Sequence, residues 1–248
     1  MRKQSDPLAG TGLLQSPQEW ESRGRALADS MAALIVEALP ANGGAVGLEV
    51  GCQRGGLIDR IANQTGMTWS GIDPILEENT HTERGAAIGP GRSDAIPYPE
   101  RSFDAVLLAN VFEHIVPDAR QSSLDEIWRV LKTSGVLVGQ IPNPYFPIES
   151  HSRLPLMGYL PIDLQRKYWR LSRVPWEHDF FVVTMRHLNR HASASGFQLQ
   201  LKRQFNYPVE AIPQRVRWLA RMGVPFMRVV PWAWQFVFVK SGADTAVR

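Results

Sequence analysis

Residues 47 to 56 read GLEVGCQRGG, from Gly47 to Gly56, and their reading decides the fold. The apolar run Ala45 to Val50 has strand length and stops on Gly51. Gly55 and Gly56 then open a helical pattern with Leu57, Ile58 and Ile61 on one side, ending at Gly66. A glycine turn between strand and helix lets backbone N–H groups approach a ligand, and the helix N-terminus adds partial positive charge. Met67 to Ile72 gives a second strand, so the unit is βαβ. Asp73 closes that strand 22 residues beyond Gly51, where an acidic side chain can accept hydrogen bonds from ribose hydroxyls. The alternative is that Asp73, before Pro74, caps a turn. Two other nucleotide loops fit less well. No Gly-Lys-Ser/Thr follows Gly51, and the spacing Gly51, Gly55, Gly56 is not G-x-G-x-x-G.

Upstream of this unit, residues 1–16 have no periodicity and read as a loose arm. From Pro17 a helix is predicted with Trp20, Leu27, Met31, Leu34 and Ile35 on one face, stopped by Pro40. Downstream, Glu77 to Arg92 is polar and glycine-bearing, which predicts an irregular or short helical crossover. Phe103 to Ala109 is a continuous apolar run, as a central parallel strand requires. Ser123 and Glu126 form a capping-box pattern, with Leu124, Ile127, Trp128 and Leu131 at helical spacing and Gly135 as the stop. Val136 to Ile141 is the next strand. Residues 142–178 then carry six prolines with aromatics between them, the composition of a lid or binding insertion. Phe181 to Ser195 reads as a helix ending at Gly196. Phe197 to Phe205 and Trp232 to Val239 read as strands pairing antiparallel at a sheet edge. The expected fold is α/β: a Rossmann-like, seven-stranded, mostly parallel sheet with helices on both faces and an antiparallel edge hairpin. One domain is expected over 17–240, with an insertion at 142–178 and a short tail at 241–248.

The chain has 248 residues, 44% hydrophobic, with a single cysteine. This excludes a disordered chain and a disulfide scaffold. The longest uncharged apolar stretch, Val229 to Val239, is broken by Pro231 and falls short of the roughly 18 residues of a membrane span. The start MRKQSDPLAG has no apolar run behind its charge, so the expected address is the cytoplasm. Net charge is +3, a mild excess; nucleic-acid binders concentrate such charge in one stripe, and here Lys202, Arg203, Arg215, Arg217, Arg221 and Arg228 crowd the last fifth. Those six can form a solvated face or an anion-facing one.

In order along the chain, these motifs resemble the class I S-adenosylmethionine-dependent methyltransferases. The acidic-x-Gly-x-Gly-x-Gly turn of that family is matched by Glu49, Gly51, Gln53 and Gly55, and its second acidic residue by Asp73. The phrases SDAIPYPERSFDAV (93–106), ANVFEHI (109–115) and WRVLKTSGVLV (128–138) match the lead into strand four, its end, and the helix and strand that follow. A weaker match is GFQL (196–199). The resemblance covers about residues 44 to 141. It implies S-adenosylmethionine as cofactor, lined by Glu49, Gly51, Cys52, Gln53, Gly55, Asp73, Pro74, Asp94, Ala95 and Asn110. In that reading Asp94 meets the adenine amino group and the Ala95 amide the adenine ring. Gln53 departs from the family's middle glycine, where a side chain can crowd the methionine moiety or bond its carboxylate.

Methyl transfer to a hydroxyl is helped by a general base, and His114, Glu149 and His151 are the candidates near the expected pocket. His114 also has a packing role as its alternative. Exocyclic-amine methylation of bases is set aside because Asn110-Val111-Phe112 lacks the Pro-Pro-aromatic turn. C5 chemistry is set aside because Cys52 reads as a buried filler. No metal is expected, since Asn110 and Asn143 replace the carboxylates of a catechol-type site and His187 with His191 lacks a third ligand. The lid offers Tyr145, Phe146, Tyr159, Tyr168, Trp169 and Trp176 for stacking, among Arg153, Arg166, Lys167, Arg170 and Arg173. It also resembles methyltransferases encoded with cell-surface glycan and secondary-metabolite pathways. The expected acceptor is therefore a sugar or glycan hydroxyl, or a small metabolite. The alternatives are an RNA methyltransferase and a cofactor-binding scaffold without turnover. Arg215 to Trp234 mixes arginine, tryptophan and proline in a way that suits peripheral membrane contact.

Overall fold

A computed structural model describes residues 17–39, 44–172, 178–212 and 229–241, together with 174, 214, 217, 218, 221, 223 and 227. The expected arm at 1–16 and the tail from 242 lie outside the described residues, as do Trp176, Arg173, Arg215 and Arg228.

The chain begins with α1 (Pro17–Ala38), then β1 (Val46–Val50), α2 (Gly56–Thr65) and β2 (Thr68–Ile72). Two short strands, β3 (Thr80–His81) and β4 (Ala87–Gly89), precede β5 (Phe103–Ala109), α3 (Arg120–Val130) and β6 (Leu131–Pro142). After the lid with α4 (Ile162–Trp169) come α5 (Met185–Ala194), β7 (Phe197–Phe205) and β8 (Ala233–Lys240). The sheet has eight strands in the order β3-β4-β2-β1-β5-β6-β8-β7. Pairings from β4 through β6 are parallel, and β8 runs antiparallel to both β6 and β7. The edge pair is where its sequence places it.

Four expectations are corrected. The crossover after Asp73 is neither a helix nor irregular coil: it is the antiparallel β3–β4 hairpin, whose β4 lies parallel on β2, and it raises the strand count from seven to eight. Helix α3 starts at Arg120, so Ser123 lies inside it and donates to the Ala119 carbonyl at 2.7 Å, while Glu126 accepts the Ile96 amide from across the chain. Leu131 leads straight into β6, which leaves Gly135 within a strand. Helix α5 opens at Met185, capped by the Thr184 hydroxyl, rather than at Phe181.

Strand alternation divides the interior into two cores. Leu48, Val50, Val106 and Leu108 face Leu124, Ile127 and Leu188 of α3 and α5. Ala105, Leu107, Val136 and Val138 face Met31, Leu34 and Ile35 of α1 and Ile58 and Ile61 of α2. A sheet covered on both faces puts its free binding edge at the carboxyl ends of its parallel strands. There Gly51, Asp73, Asn110 and Asn143 follow β1, β2, β5 and β6. Above that edge the lid is pinned by buried Phe146, Met157 and Gln165, while Tyr145, Tyr159 and Leu171 are exposed. Among the described residues no helix is long and apolar enough to cross a membrane.

Candidate active site

The turn after β1 is built from left-handed backbone. Gly51 and Gly55 have φ of +79°, and Gln53 adopts φ +50° in the family's glycine position. A Cβ on Gly51 would stand 2.5 Å from Val111 Cγ2, so only a glycine lets the turn lie against the tip of β5. The Gln53 side chain is exposed, while its backbone N–H donates to Asp73 Oδ2 at 2.8 Å. Asp73 is 5% exposed, and its other oxygen accepts the Ile75 amide at 2.9 Å. The turn-capping role is thus present at Asp73. Cys52 is buried, and burial together with Glu49 and Asp73 pushes its thiol far up, in keeping with a filler. Glu49 is 3% exposed, with Oε2 lacking a partner. Burial, and then the Asp73 carboxylate, push the Glu49 carboxyl up to about 8, against an Ile58 amide that bonds it.

At the adenine positions, both Asp94 oxygens are held by Arg92 at 2.8–2.9 Å, which lowers the Asp94 carboxyl, and the Ala95 amide donates to the Arg92 carbonyl. Pro74 is exposed. Asn110, at φ +56°, accepts from buried Gln140 Nε2 at 3.1 Å, and Gln140 in turn accepts from Gln235.

The three candidate acid–base residues come together. Glu149 Oε1 lies 2.7 Å from His151 Nδ1, and its carboxylate also accepts the His151 and Ser152 amides. Burial works to raise the Glu149 carboxyl, but His151 and these amides outweigh it and hold it at about 2. The His151 ring stacks on Phe180 at 4.5 Å and meets the His114 ring edge-on at 5.0 Å. Burial works to lower His114; Asp179, 3.4 Å from its Nδ1, and Glu113 outweigh it, and the net shift is upward. Sequence reasoning missed Glu113, Asp179 and Phe180. Glu113 is 2% exposed with neither carboxylate oxygen partnered, and burial raises its carboxyl. Its signal was its position next to His114. Asp179 and Phe180 lie in the extended run before α5 and carried no local signal.

Two cavities meet at Asn143 and Pro144. One, about 20 Å³, is lined by Glu113, Glu149, His151 and Phe180. The other, about 360 Å³, is lined by Tyr145, Arg186, Lys202, Val229 and Trp234 among others. The basic C-terminal cluster is largely spent internally where it is described. Arg203 bonds Gln235 and Ser30, and Arg217 bonds Glu19 and two carbonyls, whereas Lys202 is exposed at the larger cavity, 3.9 Å over the Trp234 ring. His191 Nδ1 lies 3.1 Å from Gln121 Oε1, and His187 is exposed.

In an open α/β sheet with a glycine turn and a second acidic residue, ligands such as nucleosides bind at the carboxyl edge of the strands. Residues 48–139 match the profile of the family described as a methyltransferase domain. Similar solved structures include a Pyrococcus horikoshii protein, PH0226, at 14% identity and TM-score 0.60, covering 91% of this chain and 93% of that one. A SAM-dependent methyltransferase from Aquifex aeolicus matches at 12% identity and TM-score 0.55, covering 95% and 98%. The 1,6-didemethyltoxoflavin-N1-methyltransferase of Burkholderia thailandensis, with bound S-adenosylhomocysteine, matches at 14% identity and TM-score 0.55, covering 92% of each chain. Residues 48–139 thus match a methyltransferase domain, and that match indicates S-adenosylmethionine as the cofactor. The residues present fit that cationic compound: the buried Glu49 carboxyl, with one oxygen unpartnered, lies close to Asp73 below a turn that has left-handed glycines at Gly51 and Gly55.

Proposed function

We propose that the protein methylates a hydroxyl of a sugar, glycan or comparably polar small acceptor held under the 142–178 lid. The observation that carries this reading is the Glu149–His151 pair, 2.7 Å apart inside the lid. Glu49, Gly51, Cys52, Gln53, Gly55, Asp73, Pro74, Asp94, Ala95 and Asn110 would line the cofactor. When bound, S-adenosylmethionine supplies an electrophilic methyl on a sulfonium, open to in-line displacement. The remaining work falls to the chain: positioning the hydroxyl, excluding water and taking its proton.

His151 suits that proton. Glu149 is ionised at ordinary pH and so accepts from Nδ1–H, which leaves Nε2 as the basic nitrogen. Phe180 fixes the ring plane by stacking, and Asp179 holds His114 alongside. The 360 Å³ cleft has the size of a small-molecule site. Tyr145 and Trp234 offer faces for a sugar ring, while Arg186 and Lys202 suit an acceptor bearing phosphate or carboxylate. Because Arg203 and Arg217 are engaged inside the protein, an RNA acceptor draws less support from the charge cluster than a small one. Of the segment at 215–234 considered for membrane contact, nine of the twenty residues lie outside the described ones; among the rest, Trp218 and Val229 are exposed.

Radiolabelled methyl transfer from S-adenosylmethionine into fractionated extract tests the reading. Label is expected in the glycan or small-metabolite fraction, and its loss is expected with H151A. Label in RNA, or transfer indifferent to H151A, contradicts it.

A further inference from the structure

We infer that Glu113, His114 and His151 form a binding site for one divalent transition cation of the zinc type. One ligand atom from each of the three residues lies within 4.8 Å of the others, before any closure around an ion. They come from two separate segments, the turn after β5 and the lid. Three further observations point to a ligand.

Glu113 is 2% exposed and both of its oxygens lack hydrogen bonds. A carboxylate in that state costs several kcal/mol, which a bound cation removes. Arg120 is the nearest rival: it influences Glu113 electrostatically, yet it donates through Nε to the Ile115 carbonyl and lies over the Phe112 and Phe181 rings. No ion pair joins it to Glu113 within 4 Å among the described residues.

Both imidazoles are already braced in the way metal-ligating histidines are. Glu149 holds His151 at Nδ1 at 2.7 Å, and the Asp179 carboxylate and carbonyl hold His114 at Nδ1 at 3.3–3.4 Å. A carboxylate on Nδ1 fixes the tautomer and leaves Nε2 to take an ion. The third observation is the open position. Two imidazoles and one carboxylate suit zinc, cobalt or manganese rather than calcium, and three protein ligands leave a fourth place for an exchangeable oxygen. The cavity beside Glu113 and His151, about 20 Å³, has room for about one such oxygen.

The inference deepens the proposed function, resting on its view that the acceptor's hydroxyl arrives beside His151. It differs in what His151 Nε2 does, since a bound cation occupies the nitrogen that otherwise takes a proton.

The experiment is titration of the chelator-stripped full chain with Co²⁺, read by visible absorption, and with Zn²⁺, read by calorimetry. An H187A background removes the i, i+4 pair on α5. One ion per chain is expected, with affinity falling about 10–100-fold in E113Q and in H114A. E113Q replaces an unpartnered carboxylate with a neutral amide of the same shape, so its thermal transition should be retained. Absence of a saturable one-to-one site, or affinity untouched by E113Q, overturns the inference. Methyl transfer assayed with and without chelator separates the two readings. If ions do not bind but chelated protein still needs His151, the cation site fails and the general base stands. If ions bind at Glu113 but no hydroxyl acceptor is methylated, the site stands and the acceptor reading fails.

Discussion

The cofactor turn and the acceptor cluster both bury carboxylates, and they settle the charge in opposite ways. Under the turn, Glu49 has an oxygen with no partner, and its carboxyl is raised to about 8. In the lid, Glu149 has a histidine and two backbone amides, and its carboxyl is held at about 2. Burial opposes ionisation in both; what differs is whether the chain supplies its own cation and donors. A buried carboxylate the chain has satisfied is a brace for its neighbour. One that it leaves unsatisfied is, in the proposed reading, a place for a cationic ligand, and Glu49 and Glu113 have such oxygens.

The largest expected effect is at the brace's partner. H151A should lower kcat by about 10²–10⁴-fold while cofactor affinity is retained, checked by steady-state kinetics beside calorimetry. E149Q, which keeps the ring but weakens its orientation, should cost about tenfold.

Stability against pH should next show opposite slopes for the two carboxylates. Glu49 keeps its proton in the folded state from 4.5 up to about 8 while the unfolded chain has lost it. Folded stability therefore falls as pH rises through that window, by several kcal/mol at about 1.4 per unit. Glu149 is ionised in the folded state down to about 2, so its contribution is present above 4.5 and is lost as pH falls from 4.5 toward 2. Denaturant melts at stepped pH should show E49Q flattening the upper limb and E149Q the lower.

A smaller effect is expected at the turn itself. G51A places a Cβ 2.5 Å from Val111 Cγ2 at a φ of +79°, and should cost about 1–3 kcal/mol together with cofactor affinity. Smallest is Q53G, which relieves a left-handed non-glycine and should stabilise by about 1 kcal/mol with cofactor affinity retained. A fall in affinity there would mean that the exposed glutamine side chain touches the ligand.

The same division explains what could be read in advance. From Gly47 to Ile141 the longer strands and the helices follow from their own apolar spacing, because a sheet covered on both faces needs long apolar runs such as Phe103–Ala109. The β3–β4 hairpin was not legible, since strands of two and three residues carry no period. Ser123 and Glu126 matched a local capping pattern, but α3 had already started at Arg120 and the Ile96 amide claimed Glu126. In the lid, His151, Glu149 and His114 were visible as residue types, and their convergence was not. It depends on Phe181, whose amide donates to the Glu113 carbonyl, tying the run before α5 to the tip of β5. Contacts at that separation leave no mark on either segment alone.

Calorimetric titration of the stripped protein with S-adenosylmethionine at pH 7, repeated in buffers of different ionisation enthalpy, tests the central claim most directly. A cation seated beside Glu49 should bind one to a chain and expel the carboxyl's proton, so the observed heat should track the buffer with a slope near one proton, and E49Q should abolish that slope. Absence of saturable heat, or a slope unchanged in E49Q, would contradict the account.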